Sequence, residues 1–142
     1  MQDLQTFCLK TFPPAPRLTE LLSFGSLLNA TDSFAWLMEN SGFVGWTYTI
    51  NPKVWSLVQP SKLIIDRPGI LADEKNDKVY NSRIRVATCC HIKCYIGEKE
   101  MLVGSFNLTA PTIEDLCVVI KDKKQISHMR KTFTQHWKAL AP

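Results

Sequence analysis

Two short segments of the sequence carry side chains that could act together on a phosphate group. The first is His91-Ile92-Lys93, and the second is Gly104-Ser105-Phe106-Asn107. An imidazole supplies a nucleophile or a base, an ammonium supplies a fixed positive charge, and a hydroxyl and an amide supply neutral donors. Donors and positive charge of this kind hold phosphate oxygens. These residue types therefore predict a phosphate site with a reactive histidine pointed into it.

The backbone that must position the first segment is predicted to be a strand. Residues 90–96 are rich in apolar and aromatic side chains, which favour strands. Residues two positions apart in a strand share a face. His91, Lys93 and Tyr95 are therefore expected side by side on one face, with Ile92 and Ile96 turned to the opposite face and into a core.

The cysteines bear on the compartment and on metal binding. They lie at positions 8, 89, 90, 94 and 117. An odd count, with an amino-terminal segment unlike a secretory signal, argues against a disulfide framework and favours a reducing, cytoplasmic location. The Cys89-Cys90-His91 triplet, with Cys94 nearby, could suggest a metal site, but no second cluster supplies paired ligand spacing. We therefore expect no metal, no cofactor, and cysteines packed in a core.

The rest of the chain alternates predicted strands and helices. Strands are expected at residues 4–12, 43–50, 62–66, 79–87, 101–105 and 116–120. Helices are expected at residues 18–28, 34–39 and 125–140. Connections are expected at residues 51–52 (a turn), 72–78 (a surface loop or mobile flap) and 97–100 (a hairpin). This order predicts an α/β layered domain with a mixed sheet flanked by helices, and 142 residues predict a single domain over residues 1–142.

Charge is unevenly distributed along the chain. The whole chain carries +4, whereas residues 121–142 carry six basic side chains against Asp122 alone, a net +5. A basic helix face could follow a phosphate backbone, although a solvated helix face gives the same pattern. No apolar run approaches the roughly 20 residues of a membrane span, so we expect no membrane partner. The basic residues expected to contact a nucleic acid are Arg83, Arg85, Lys124, Lys131 and Lys138.

The two motif segments together resemble the signature of the phospholipase D superfamily. That signature is His-x-Lys, an acid five residues after the Lys, and then Gly-Ser-x-Asn. His91-Ile-Lys93 and Gly104-Ser105-Phe-Asn107 match it fully. Glu98 stands where the family usually has Asp, and the spacer that follows is one residue shorter than the common form. Thr112-Ile113-Glu114 is similar to a downstream Asn-x-Glu element, with Thr in place of Asn.

This resemblance implies a phospholipase D-like fold and a metal-independent phosphodiesterase. The catalytic residues that it implies are His91, Lys93, Ser105, Asn107 and Glu114. His91 would attack phosphorus and form a phosphohistidine, while Lys93 and Asn107 would hold the nonbridging oxygens. Glu114 would orient His91 through the other ring nitrogen, with Asp115 as the alternative acid.

A single motif leaves the implied mechanism one histidine short, because a second histidine must protonate the leaving oxygen. We expect the second motif to come from another copy of the chain in a two-fold homodimer. Single-motif members of this size are mostly nucleases, so DNA or RNA is the expected substrate. The alternatives are a noncatalytic nucleic-acid-binding or regulatory module, a lipid phosphodiesterase, and a monomer with an inactive site.

Overall fold

The computed structural model describes residues 25–66, 82–88, 90–109 and 115–140. The strand predicted at residues 4–12 and the loop predicted at residues 72–78 lie outside these ranges. The strands are β1 (Gly25–Asn29), β2 (Val44–Thr47), β3 (Lys62–Asp66), β4 (Ile84–Ala87), β5 (Cys94–Ile96), β6 (Met101–Gly104) and β7 (Leu116–Ile120). The helices are α1 (Ala30–Glu39), α2 (Pro52–Val58) and α3 (Lys123–Ala139).

Within these ranges, seven strands form one mixed sheet in the order β1-β7-β6-β5-β2-β3-β4. β2, β3 and β4 are parallel to one another, and every other neighbouring pair is antiparallel. The carboxyl ends of β2, β3, β4 and β6 therefore meet the amino ends of β5 and β7 at one end of the sheet, which we call the upper end. The mixed sheet with flanking helices confirms the predicted α/β fold class.

Apolar side chains pack on both faces of the sheet. Leu37 of α1 and Val58 of α2 belong to the buried cluster on one face. Ile126, Phe133 and Trp137 of α3 belong to the cluster on the other face. The three- and four-residue spacing of apolar side chains predicted this contact of α3, and the prediction is confirmed. No helix in the described part of the chain is long and apolar enough to cross a membrane.

Two local predictions were wrong because tertiary pairing and capping outweighed local pattern. The helix predicted at residues 18–28 is a strand from Gly25 onwards, where Leu27 and Leu28 pair with Val118 and Cys117 of β7. The turn predicted at residues 51–52 instead begins α2. The Asn51 side chain accepts a hydrogen bond from the Lys53 N–H, and proline occupies the first helical turn, where no N–H is required.

A buried carboxylate joins β3 to the segment that carries the histidine of the motif. Asp66 is the last residue of β3, as predicted, and only 3% of its surface is exposed. One of its carboxylate oxygens accepts a hydrogen bond from the buried Cys90 N–H, immediately before His91. A buried N–H without an acceptor is costly, so this bond fixes where the irregular segment before β5 begins.

We expect Asp66→Ala to lower the free energy of unfolding by about 1–3 kcal/mol, because the Cys90 N–H would be buried without an acceptor. Asp66→Asn keeps an acceptor oxygen and should lose less stability than Asp66→Ala. Urea unfolding followed by tryptophan fluorescence measures both changes. Glu98→Ala, which removes an exposed carboxylate, is the control and should stay within about 0.5 kcal/mol of the wild type. An Asp66→Ala variant with the same free energy of unfolding as the wild type would contradict this role of the carboxylate.

Candidate active site

The β5–β6 hairpin brings the two halves of the motif together at the upper end of the sheet. His91 and Lys93 precede β5, whereas Ser105 and Asn107 follow β6. The predicted connection is confirmed, since the Gly97 N–H donates to the Glu100 carbonyl oxygen at 2.9 Å. Just beyond the paired residues of the hairpin, the Gly104 N–H donates to the Lys93 carbonyl at 3.2 Å. The histidine segment and the serine-asparagine segment are therefore neighbours.

The segment that carries the histidine is not the strand that was predicted. β5 contains only three residues, Cys94–Ile96, and residues 90–93 lie outside the ladder. His91 is exposed, Lys93 is half-buried and Tyr95 is fully buried, so the expected common face is wrong. Ile92 is 45% exposed instead of lying in a core. Strand alternation fails here because residues 90–93 precede the first paired residue of β5, Cys94.

Tyr48, which follows β2, contacts the motif histidine directly. Its ring is stacked on the His91 imidazole, with centroids 4.6 Å apart and planes inclined by 25°. The Lys93 ammonium lies 6.0 Å from the centre of the Tyr48 ring and donates to the His91 carbonyl at 3.1 Å. The motif does not include Tyr48. Tyr48 falls inside the strand predicted at residues 43–50, and no local signal in the sequence identified it as a neighbour of the motif.

The Asn107 side chain is oriented by the end of β2. Its Oδ1 accepts from the Tyr48 N–H at 3.1 Å and lies 3.3 Å from the Thr47 hydroxyl. A backbone N–H can only donate, so the carbonyl oxygen of the amide must face it. Nδ2 is then left as a donor, and no bond to it occurs within the described residues. An amide donor on the residue that bonds to Tyr48, whose ring contacts His91, is suited to a phosphate oxygen.

Buried hydroxyl groups hold the loop that carries Asn107. The Tyr95 hydroxyl donates to the Phe106 carbonyl at 2.6 Å and lies 3.2 Å from the Thr47 hydroxyl. The Thr47 oxygen also accepts from the Leu108 N–H at 3.2 Å. Burial raises the pKa of the Tyr95 phenol, so the group stays a neutral donor over the whole physiological range. The loop is therefore fixed from beneath by buried hydrogen bonds.

The glycine and serine of the motif contact β7. A Cβ on Gly104 would lie 2.3 Å from the Leu116 carbonyl oxygen, so the absent side chain makes room for the backbone of β7. The Ser105 hydroxyl accepts from the Leu116 N–H at 2.9 Å and lies 3.1 Å from Asp115 Oδ1. Glu114 lies outside the described residues, so Asp115 is the acid that the structure describes at this point.

The cysteines of the described residues are buried and reduced. Cys90, Cys94 and Cys117 are free thiols within the core. Burial raises the pKa of the Cys94 thiol to about 12, which keeps it protonated at neutral pH. No group of three or more His, Cys, Asp or Glu side chains that could hold a metal ion occurs in the part of the chain that the structure describes. Cys8 and Cys89 lie outside that part.

The predicted nucleic-acid-binding residues fall in different surroundings. Lys124 lines an apolar groove of about 560 Å³ together with Ile92, beside the histidine segment. Lys131 and Lys138 are exposed on the same helix, α3. Arg83 is exposed but precedes β4, so it does not share a strand face with the second predicted arginine.

That second arginine, Arg85, is engaged by the end of α3. Its Nη1 donates to the Trp137 carbonyl and, at 3.1 Å, to the Leu140 carbonyl. Its guanidinium also lies 4.4 Å from the centre of the Trp137 ring. Cationic side chains interact favourably with the last carbonyls of a helix, so these contacts tie β4 to α3.

Comparison with known proteins identifies the fold. No protein-family model matches the sequence, and no curated protein matches it significantly. The phospholipase D family member Nuc from Salmonella typhimurium is similar over 82% of this chain and 97% of its own, with a TM-score of 0.54 and 15% identity. NucT from Helicobacter pylori is similar over the same shares, with a TM-score of 0.61 and 13% identity.

A third solved structure is similar over most of the chain. TrmBL2, an archaeal chromatin protein whose structure shows a novel mode of DNA binding, matches 96% of this chain and 58% of its own, with a TM-score of 0.58 and 12% identity. At such identities the likeness concerns the fold. The mixed seven-stranded sheet with its flanking helices is therefore a phospholipase D-like fold, shared with Nuc and NucT.

Proposed function

We propose that the chain is a metal-independent phosphodiesterase of the phospholipase D type that acts on DNA or RNA in the cytoplasm. The observation that carries the proposal is the meeting of an exposed imidazole, an ammonium and an amide donor around Tyr48. These groups come from separate segments, residues 91–93 and residue 107. Their chemistry is that of a nucleophile beside donors for a dianionic transition state.

The proposed reaction has two displacement steps at phosphorus. One ring nitrogen of His91 forms a bond to phosphorus while the bond to the leaving oxygen breaks, and a second imidazole protonates that oxygen. Water then displaces His91 from the phosphohistidine and gives up its proton to the second imidazole. Lys93 and the Asn107 Nδ2 would hold the nonbridging oxygens, and Ser105 would assist. Glu114 or Asp115 would orient His91.

The second imidazole is proposed to come from His91 of another copy. The chain has three histidines, and the other two lie on α3. The His136 Nδ1 accepts from the Trp46 indole N–H at 2.9 Å, which uses that nitrogen in packing. His128 is exposed and has neither a lysine two residues later nor a Gly-Ser-x-Asn segment. A homodimer of 142-residue, single-domain protomers would supply two equivalent histidines through two-fold symmetry.

A nucleic acid is the proposed substrate because basic side chains lie beside the site. Lys124 shares the groove that Ile92 borders, and Lys131 and Lys138 extend the positive charge along α3. Backbone phosphates are attracted to such a surface without regard to sequence. The fold is also shared with TrmBL2, a DNA-binding chromatin protein. Arg83 and Arg85 remain predictions, and the donors of Arg85 already serve α3.

We expect cleavage of labelled DNA or RNA oligonucleotides to persist in EDTA, because no step needs a metal. His91→Asn and Lys93→Gln should each lower the rate by at least about a thousandfold, since both act on the reacting phosphate. Lys99→Gln removes an exposed cation from the hairpin at the opposite end of the sheet and should retain activity. Activity lost in EDTA and restored by Mg²⁺ would contradict the mechanism.

The same assay separates the alternatives. Salt-sensitive binding without turnover under any condition would favour the noncatalytic module. Hydrolysis of phosphatidylcholine but not of oligonucleotides would favour the lipid phosphodiesterase.

We expect heterodimers of wild-type and His91→Asn protomers to be inactive, because the shared site would hold only one nucleophilic imidazole. Co-expression with two different tags and purification over both isolates the heterodimer, and oligonucleotide cleavage measures its rate. Wild-type homodimers carrying both tags are the control. A heterodimer with about half of the wild-type rate would show that each protomer acts alone, as would a strictly monomeric active protein in light scattering.

We expect Lys124→Gln to reduce the slope of log binding constant against log salt concentration by about 0.7–0.9, because one phosphate contact is lost. Fluorescence anisotropy with a labelled oligonucleotide gives the slope. Lys99→Gln is the matched control, since Lys99 is exposed in the β5–β6 hairpin at the opposite end of the sheet. Equal slopes for both variants would remove Lys124 from the proposed contact surface.

A further inference from the structure

Tyr48 is the point at which the two halves of the motif are joined. Its ring stacks on the His91 imidazole at 4.6 Å, and its backbone N–H donates to Asn107 Oδ1 at 3.1 Å. The Lys93 ammonium lies 6.0 Å from the centre of the same ring. Tyr48, which is outside the motif, therefore contacts both halves: its ring contacts His91 and its backbone N–H contacts Asn107.

The His91 imidazole needs such a contact. The residue is exposed, and in the described part of the chain no hydrogen bond to its ring nitrogens occurs. The segment that carries it belongs to no strand, so the sheet does not fix its direction. An exposed side chain on irregular backbone populates several rotamers unless a neighbour restricts it. The half-buried ring of Tyr48 is the flat surface against which one of these rotamers packs.

The position of Tyr48 is itself well defined. It follows Thr47, a fully buried residue whose side chain joins the network beneath Asn107. Its carbonyl oxygen accepts from the Asp66 N–H at 3.3 Å, beyond the end of the β2–β3 ladder. The backbone on which the ring is mounted is therefore held on both sides, by the loop after β6 and by β3.

We propose that Tyr48 is a positioning residue, whose ring holds the His91 imidazole in the direction needed for attack on the phosphate bound by Lys93 and Asn107. The catalytic consequence rests on the proposed phosphodiesterase function, whereas the positioning itself does not. The hydroxyl of Tyr48 has no part in this role, because stacking uses only the ring face. A reaction that depends on alignment loses rate when the nucleophile is free to rotate.

Two substitutions isolate the ring from the backbone. Tyr48→Phe keeps the ring and removes the hydroxyl. Tyr48→Leu removes the ring face but keeps an apolar side chain, and the N–H that reaches Asn107 is present in both variants. Trp55→Leu is the matched control, since it removes another half-buried aromatic ring, one that packs against the core cluster beneath α1 and α2.

The first measurement is NMR of the full-length protein with isotope-labelled histidine. The chain has three histidines, so a His91→Gln spectrum assigns the His91 signals. The stacked ring should shift the His91 ring protons upfield in the wild type, in Tyr48→Phe and in Trp55→Leu. In Tyr48→Leu these signals should move to the values of a freely exposed histidine. The His136 signals should stay unchanged, because His136 packs against Trp46, and they report that the fold is intact.

The second measurement is the kinetics of oligonucleotide cleavage. Tyr48→Leu should lower kcat about tenfold with little change in KM. Tyr48→Phe should retain the wild-type kcat, because it keeps the ring. His91 signals that keep their wild-type upfield positions in Tyr48→Leu would overturn the proposal. A change in KM alone would also overturn it, because it would assign the ring to substrate binding. A wild-type protein without activity would contradict the proposed function, while the NMR result would still decide whether Tyr48 positions His91.

Discussion

A hydrogen bond from the Tyr48 N–H to Asn107 Oδ1 sets the geometry on which the candidate site depends. β2 and β6 are not neighbours in the sheet, because β5 lies between them. The loop after β6 must therefore pass the end of β5 to reach β2. It does so through buried bonds, and beyond it Ile50 and Leu108 form an isolated parallel bridge. The three-residue length of β5 leaves the upper end of the sheet open for this crossing.

The hydrogen bonds beneath this loop explain how two hydroxyl groups can be buried here. Thr47 and Tyr95 are fully buried, and each finds partners for its hydroxyl group. A buried hydroxyl without a partner would be costly, so the network forms as a unit or not at all. It holds the loop that carries Asn107, while the Tyr48 N–H fixes which end of the amide faces outward. The Asn107 Nδ2 is thus presented as a donor by a backbone hydrogen bond on the other side of the amide.

Two of the motif residues contact a neighbouring strand, and two lie above the sheet. Gly104 and Ser105 contact β7, where the glycine makes room for the Leu116 carbonyl and the serine hydroxyl accepts from the Leu116 N–H. His91 and Lys93 lie above the sheet on irregular backbone, where the Tyr48 ring stacks on His91 and the Lys93 ammonium donates to the His91 carbonyl. The first pair supports the site from one side, and the second pair remains accessible to a substrate and to another protomer.

The sequence by itself determined the residue types of the site, the hairpin between its halves, the fold class and the apolar face of α3. Each of these depends on composition, on spacing within one segment, or on the order of segments along the chain. Tertiary structure decided the rest. The pairing of Leu27 and Leu28 with β7 made a strand where local spacing favoured a helix. Strand order placed Tyr48, at the end of β2, next to His91, which precedes β5. A contact between residues 43 positions apart depends on strand order and not on local pattern.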